Sequence, residues 1–174
     1  SKLVFSPRVR KTPYFNSTIK YGAKSFSVYN HMYMPVSYEG SVEDYKKLLN
    51  GVQLWDVGVE RQVQIKGPDA EALSQFLTPR NIKKCSIGQA MYTPLVDFKG
   101  GLLNDPVMLK IDADCFWFSV SDGDLILWVQ AIAAGYKFDV KIDEPDVSPL
   151  QVQGPNSTKL MTKVFGDWVS DLGF

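Results

Sequence analysis

The stretch that decides the fold is QVQIKGPDA, residues 62–70. Polar and apolar residues alternate over Gln62–Ile65, which is typical of a half-buried strand. Gly67–Asp69 then predicts a helix start, because proline fits the first turn and an acidic residue is favourable at the positive end of the helix dipole. The helix is expected to end near Thr78–Pro79. Its apolar stripe comprises Ala70, Leu73, Phe76 and Leu77.

The elements after this helix follow in an order typical of a ferredoxin-like unit. We predict strands over residues 90–96, 107–111 and 115–120, a helix from Leu125 to Ala134 that stops at Gly135, and a strand over residues 138–142. The order strand, helix, strands, helix, strand is that of a split βαβ unit, and the fold class is therefore α+β. Along the third strand, Phe116 and Phe118 share one face and Trp117 lies on the other.

The second half of the chain repeats the pattern that opens this unit. LQVQGPN, residues 150–156, has the form of the stretch at 62–70 and predicts strand, turn and helix again. Such an entry into a helix is common, and this reading is favoured over duplication. We predict an inserted ferredoxin-like domain at residues 52–144 and a discontinuous first domain formed by residues 1–51 and 145–174. Residues 1–50, rich in aromatic and turn-forming residues, are expected to form an irregular wrapping segment.

Composition restricts the classes of function. The chain has 19 basic and 19 acidic residues among 174 and is 45% hydrophobic. Because the charges balance, no positive field favours nucleic acid or an anionic membrane. We see neither a signal peptide nor a spanning helix, so a cytoplasmic protein is expected. Cys85, Cys115 and the single His31 predict neither a disulfide framework nor a metal site.

One carboxylate stands out in KGGLLNDPV, residues 99–107. Gly100 and Gly101 allow a tight reversal, and Pro106 restricts Asp105 to extended geometry. Asp105 is therefore a candidate for chemistry at the mouth of a strand. The alternative is that Asn104 and Asp105 only cap a hairpin turn.

Five blocks in order resemble the aminomethyltransferase family, the T-protein of glycine cleavage and its relatives. The blocks are LWDV at 54–57, QVQIKG at 62–67, GQAMYTPL at 88–95, GGLLND at 100–105 and VQGPN at 152–156. Within the family, four further segments are most similar to the branch of demethylases that act on dimethylsulfoniopropionate. These are FSPRVRKTP at 5–13, VYNHM at 28–32, ERQV at 60–63 and LNDP at 103–106. The resemblance implies a T-protein-like fold, part of a second α+β domain, and methyl transfer from a sulfonium to tetrahydrofolate.

The resemblance also implies roles for individual residues. Asp105 matches the family's aspartate beside the reactive folate nitrogen and is the catalytic candidate. Ser121 stands where T-proteins usually have asparagine, and Glu60 stands where they have methionine after a Ser-His pair that is here Gly58-Val59. These departures argue against glycine cleavage itself. The implied folate-binding residues are Tyr92, Asp105, Val107, Leu109 and Ser121. Further folate contacts are expected beyond residue 174.

A cationic sulfur is expected to bind against aromatic faces. Tyr33 and Trp117 are the substrate-binding candidates, with Trp55 and Phe118 also available, and core packing is the alternative for each aromatic ring. Ser121 is the candidate for the substrate carboxylate through the main chain at 121–123, with Lys11 or Arg8 as alternatives.

Three functions remain open at this point. The first is a tetrahydrofolate-dependent demethylase of dimethylsulfoniopropionate, and the second is an aminomethyltransferase that docks a lipoyl carrier. The third is a non-catalytic folate-binding module. The expected partners are a small sulfonium compound and folate, and a homodimer is left open.

Overall fold

The computed structural model of the chain describes residues 3–172. Its α-helices are α1 (Phe15–Lys20), α2 (Ser41–Asn50), α3 (Ala70–Phe76), α4 (Leu125–Tyr136) and α5 (Ser157–Phe165). Its strands are β1 (Ser25–Tyr29), β2 (Met32–Ser37), β3 (Gln53–Asp56), β4 (Gln62–Lys66), β5 (Ala90–Tyr92), β6 (Leu95–Val96), β7 (Leu102–Asn104), β8 (Val107–Asp112), β9 (Cys115–Ser119), β10 (Lys141–Asp143) and β11 (Leu150–Gln153). Short 3₁₀ turns occur at Ile82–Lys84 and Asp167–Asp171.

The central sheet has five antiparallel strands in the order β10-β4-β9-β8-β5. Strands β4, β8, β9 and β10 with helices α3 and α4 form the predicted split βαβ, and β5 adds an edge strand. One face of the sheet packs on both helices. Buried residues of that core are Val63, Ile65, Met108, Phe116 and Phe118 from the sheet, with Ala70, Leu73, Val129 and Ile132 from the helices. The α+β prediction is confirmed. Phe116 and Phe118 share one face as expected, and the structure shows that this is the core face.

Three predicted boundaries are wrong. The strand predicted over 90–96 breaks into β5 and β6, which lie in different sheets, because Pro94 has no N–H for a ladder. Helix α4 continues through Gly135 and ends at Tyr136, and Lys137 caps it with a left-handed φ of 60°. The strand predicted from Phe138 begins only at Lys141.

Residues 1–50 are more regular than predicted. Strands β1 and β2 form a hairpin closed by Asn30 and His31, both with positive φ, which is the backbone geometry of a tight two-residue hairpin turn. Asn30 is buried, and its Nδ2 donates to the Val59 carbonyl oxygen at 3.0 Å. Helices α1 and α2 flank this hairpin in sequence. The expectation of an irregular segment is therefore wrong.

The repeated Gly-Pro entry is confirmed as strand, turn and helix at both places. Strand β4 leads into α3 and strand β11 into α5, and β11 pairs with β3. Gly67 has a φ of 142°, and a Cβ there would lie 2.7 Å from the Asp139 carbonyl oxygen. Gly154 has a φ of 129°, and a Cβ there would lie 2.4 Å from the Gly51 carbonyl oxygen. Both turns therefore need glycine for conformation and for space.

The chain groups into two compact units. One comprises the residues up to Val59 together with those from Ser148 onward, and the other comprises Glu60–Val147. The division into an inserted domain and a discontinuous first domain stays a prediction. Between residues 3 and 172, no helix combines the length and apolar character needed to cross a membrane.

Candidate active site

The candidate active site is built on a tight reversal between β6 and β7. The Asp97 N–H donates to the Gly101 carbonyl oxygen at 2.8 Å, and Gly100 has a φ of 82°. The Asp97 side chain accepts hydrogen bonds from the N–H groups of Lys99 and Gly101, both at 2.8 Å. Strand β7 leaves this turn and ends at Asn104, so Asp105 lies in the two-residue link between β7 and β8.

Asn104 anchors that link to the segment after β9. Its side chain is buried, with 5% of its surface exposed. Its Nδ2 donates to the Ser121 carbonyl oxygen at 3.2 Å, and its Oδ1 accepts from the Ser121 N–H at 3.0 Å. We call this pair of hydrogen bonds the Asn104 clasp. It satisfies both main-chain groups of Ser121 and fixes the position of Asp105 next to it.

The structure joins Asp105 and Ser121, two of the predicted site residues. The Ser121 hydroxyl donates to Asp105 Oδ1 at 2.6 Å. The Asp105 side chain is exposed, so its second carboxylate oxygen is accessible to a ligand. A carboxylate held this way accepts hydrogen bonds and stabilises positive charge.

Four more predicted residues lie on the sheet face opposite the core. Alternation along each strand puts Tyr92, Val107, Leu109 and Trp117 on this face. Tyr92 pairs directly with Val107, and Leu109 with Trp117. The Trp117 indole N–H donates to Gln64 Oε1 at 2.8 Å, which fixes the orientation of the ring. Tyr92 is 51% exposed and Val107 is 42% exposed, so both present surface to a ligand. We call this surface the outer face of the sheet.

Tyr33 has a different setting from the other predicted residues. It lies on β2 in the unit that contains the β1-β2 hairpin and is only 8% exposed. Its ring packs against those of Phe5, Phe15 and Phe26, and its hydroxyl accepts from the Ser6 N–H. The structure therefore gives Tyr33 a packing role, and its contact with substrate stays a prediction.

Sequence reasoning missed two residues beside the site. From sequence alone Asn104 is only a turn cap, because its partner Ser121 is 17 residues away and no local pattern indicates the clasp. Gln62 is only a polar strand position in the sequence. The structure buries its side chain and leaves its Oε1 without a hydrogen-bond partner among the described residues.

A buried carboxyl group lies in the other unit. Asp56, at the end of β3, accepts hydrogen bonds from the Thr12 hydroxyl and from the Gly58 N–H. Burial raises the pKa of Asp56, and the two hydrogen bonds oppose this rise only in part. This group holds the turn that follows β3.

Other chemistry-bearing residues do not gather into a further site within residues 3–172. Cys85 and Cys115 are buried free thiols. The described part of the chain contains no cluster of three or more His, Cys, Asp or Glu side chains placed to hold a metal ion. An open hollow between α4 and β10 is lined by Gln130, Ala133, Lys137, Val140 and Ile142, and none of the predicted site residues lines it.

The sequence of this chain is similar to those of known proteins. The GCVT N-terminal domain family matches residues 14–174. The dimethylsulfoniopropionate demethylase of Ruegeria pomeroyi is 47% identical over 169 residues, which cover 97% of this chain and 46% of that protein. The aminomethyltransferase of Desulfitobacterium hafniense is 26% identical over 159 residues, which cover 90% of this chain and 43% of that protein. The chain thus spans less than half the length of these curated relatives.

Among solved structures, the glycine cleavage system aminomethyltransferase T from Bartonella henselae has the same fold. The TM-score is 0.79 at 20% sequence identity, and the match covers 89% of this chain and 43% of that one. The family match extends over nearly the whole chain and agrees with this T-protein-like architecture. The chain therefore belongs to the aminomethyltransferase family of the glycine cleavage T-protein, through its GCVT N-terminal domain.

Proposed function

We propose that this chain is part of a tetrahydrofolate-dependent methyltransferase that demethylates dimethylsulfoniopropionate to methylthiopropionate and forms 5-methyltetrahydrofolate. The similarity to the Ruegeria pomeroyi demethylase supports the choice of donor. The observation that carries the proposal is the hydrogen bond from the Ser121 hydroxyl to Asp105, since it joins two residues that the family resemblance assigns to the site.

The outer face of the sheet fits a folate. A pteridine is flat and carries several N–H donors, so it favours aromatic and apolar surface bordered by a hydrogen-bond acceptor. Tyr92, Val107 and Leu109 supply the surface, and Asp105 supplies the acceptor. Remaining folate contacts are expected in the part of the longer relatives that this chain does not span.

The reaction requires little covalent catalysis. Methyl transfer breaks the S–CH₃ bond, leaves its electron pair on a neutral thioether, forms an N–CH₃ bond and releases a proton from the folate nitrogen. Asp105 orients the pteridine and stabilises the positive charge that develops on the attacking nitrogen. Trp117 is held by Gln64 and presents its ring to the cationic sulfur. Ser121 positions Asp105, and its contact with the carboxylate of the donor stays a prediction.

A direct assay tests the proposal. The protein, prepared at the full length of its relatives, is incubated with dimethylsulfoniopropionate and tetrahydrofolate, and both products are quantified. We expect methylthiopropionate and 5-methyltetrahydrofolate in equal amounts. Turnover only with a lipoyl-bound aminomethyl donor, with release of ammonia, would assign the protein to glycine cleavage instead. Tight folate binding without turnover of either donor would favour a non-catalytic folate-binding module.

The enzyme would serve one-carbon and sulfur metabolism in the cytoplasm, and a homodimer is left open. The substrate-binding roles of Tyr33, Trp117 and Ser121 are part of the proposal as well.

A further inference from the structure

Glu60, two residues before the start of β4, has an unusual carboxyl group. The residue is partly buried, and no hydrogen bond or ion pair from residues 3–172 reaches its carboxyl group. Burial raises the pKa of Glu60, because desolvation disfavours the charged form. A desolvated carboxylate without a partner is costly, and a ligand cation would offset that cost.

The topology brings Glu60 to the end of the sheet that carries Ser121 and Asp105. The Val120 N–H donates to the Arg61 carbonyl oxygen at 2.9 Å, one step beyond the paired residues Gln62 and Ser119. The two segments therefore still run side by side at Arg61 and Val120, which are the sequence neighbours of Glu60 and Ser121. Alternation from Ser119 directs Ser121 toward the outer face, and Glu60 lies in the bend that precedes Arg61.

Gln62 provides an independent sign that a ligand binds here. Its side chain is 4% exposed, and its Nε2 donates to the Glu60 carbonyl oxygen at 3.0 Å and to Ser119 Oγ at 2.9 Å. Its Oε1 is buried and has no donor among the described residues. An unsatisfied buried acceptor is destabilising unless a bound group reaches it.

The neighbouring cation does not neutralise Glu60. The Arg61 guanidinium instead donates to Glu144 Oε1 and to the Val147 carbonyl oxygen, both at 2.9 Å. Glu60, Gln62 and Asp105 thus contribute acceptor oxygens to the same end of the sheet. Such a surface is electrostatically complementary to a cation.

We propose that Glu60 is the counter-ion of the sulfonium centre and selects a cationic methyl donor over a neutral molecule of the same shape. This inference rests on the proposed function. The positive charge is present on sulfur in the bound donor and is lost as the thioether forms. Glu60 therefore strengthens donor binding more than it lowers the barrier to methyl transfer.

The test compares a cationic ligand with a neutral one in the full-length protein. Calorimetry gives the Kd of dimethylsulfoniopropionate and of 4-methylpentanoate, in which a CH group replaces the sulfonium. We expect wild-type protein to bind the cation more tightly than the neutral ligand. In Glu60→Gln the ratio of the two Kd values should fall about tenfold, while the Kd of tetrahydrofolate stays within about twofold. Glu60→Asp should retain the preference for the cation, and Glu43→Gln, an exposed glutamate on α2, should leave it unchanged.

Each outcome supports or overturns the inference. The inference would be overturned if Glu60→Gln weakened the binding of both ligands equally or left the ratio of their Kd values unchanged. It would also be overturned if only tetrahydrofolate binding became weaker, which would assign Glu60 to folate. Thermal unfolding of each variant verifies that the comparison is made on folded protein. Absence of demethylation by wild-type protein would contradict the proposed function, whereas a Glu60-dependent preference for the cation would still support this cation site.

Discussion

At the scale of single residues, Asp105 is the point where the proposed chemistry can be tested most cleanly. Asp105→Asn keeps an acceptor oxygen for Ser121 but removes the negative charge. We expect demethylation to fall by about 10²–10³ in kcat, as for loss of one electrostatic contact to a transition state. The melting temperature should change little, because the side chain is exposed.

The matched control for Asp105 is Asp112→Asn, at the opposite end of β8. Asp112 is the last residue of β8, before the turn to β9, and its Oδ1 accepts from the Ala113 N–H. This variant should retain wild-type turnover. Unchanged kcat in Asp105→Asn, with a melting temperature several degrees lower, would make Asp105 a structural residue only.

Asn104 should matter for stability as well as for activity. Asn104→Ala removes both hydrogen bonds of the Asn104 clasp and leaves the main chain of Ser121 without them. We expect a loss of about 1–3 kcal/mol in the free energy of unfolding, measured by urea denaturation. Asn50→Ala is the control, because Asn50 is exposed and bonds only within its own helix. Equal effects of the two substitutions would show that the clasp adds no more stability than an exposed hydrogen bond within a helix.

Asp56 makes a prediction about pH. A carboxyl group whose pKa is raised by folding contributes stability that is fully present below its unfolded pKa, about 3.9, and is lost as pH rises through the folded pKa. Asp56→Asn removes this titration. Urea denaturation between about pH 4 and 7 should therefore show the variant gaining stability relative to wild type as pH rises. A difference that does not vary with pH would contradict the raised pKa.

At the scale of elements, the two Gly-Pro turns provide a comparison of glycines. In Gly67→Ala and Gly154→Ala the added Cβ clashes with a main-chain carbonyl oxygen, and the alanine has to adopt a positive φ. Each should lower the free energy of unfolding by at least about 1 kcal/mol. Gly135→Ala is the control: it lies inside α4 with open space around the added Cβ, and should raise stability by about 0.5–1 kcal/mol. Chemical denaturation of the three variants measures these changes, and similar losses in all three would contradict the explanation.

The elements also show what sequence can and cannot predict. Alternation over Gln62–Ile65 and the Gly-Pro entry depend on neighbouring residues only, so the strand, the helix and the split βαβ order could be predicted. The break at Thr93-Pro94 was missed because the apolar pattern continues through it. The Thr93 N–H instead donates to the Pro106 carbonyl oxygen, a contact across 13 residues of sequence that no local pattern contains.

The residues of the candidate site also separate into those that the sequence can predict and those that it cannot. Asp105 was found because glycines and a proline surround it, and Tyr92, Val107, Leu109 and Ser121 came from the family resemblance. Asn104 and Gln62 owe their importance to the burial and tertiary partners that the fold supplies. Such roles depend on the assembled sheet and not on residue spacing.

At the scale of the whole molecule, the apolar core is unevenly distributed. The main cluster of buried apolar residues lies within Glu60–Val147, whereas α2 and α5 contain no buried residue. Local opening costs least where few apolar contacts are lost. We therefore expect hydrogen exchange, followed by mass spectrometry, to be slowest in β4 and β9 and faster in α2 and α5. Equal protection of α5 and β9 would contradict this order.

The Asn104 clasp has a consequence for how this site can diversify. Asn104 bonds only to the main chain of residue 121, so the side chain at 121 can be exchanged without displacing the main chain of the loop. Selection for a new donor can therefore act on that side chain while the clasp keeps the main chain of the loop in place. Because the hydrogen bonds hold only the main chain, the side chain at this position is free to evolve.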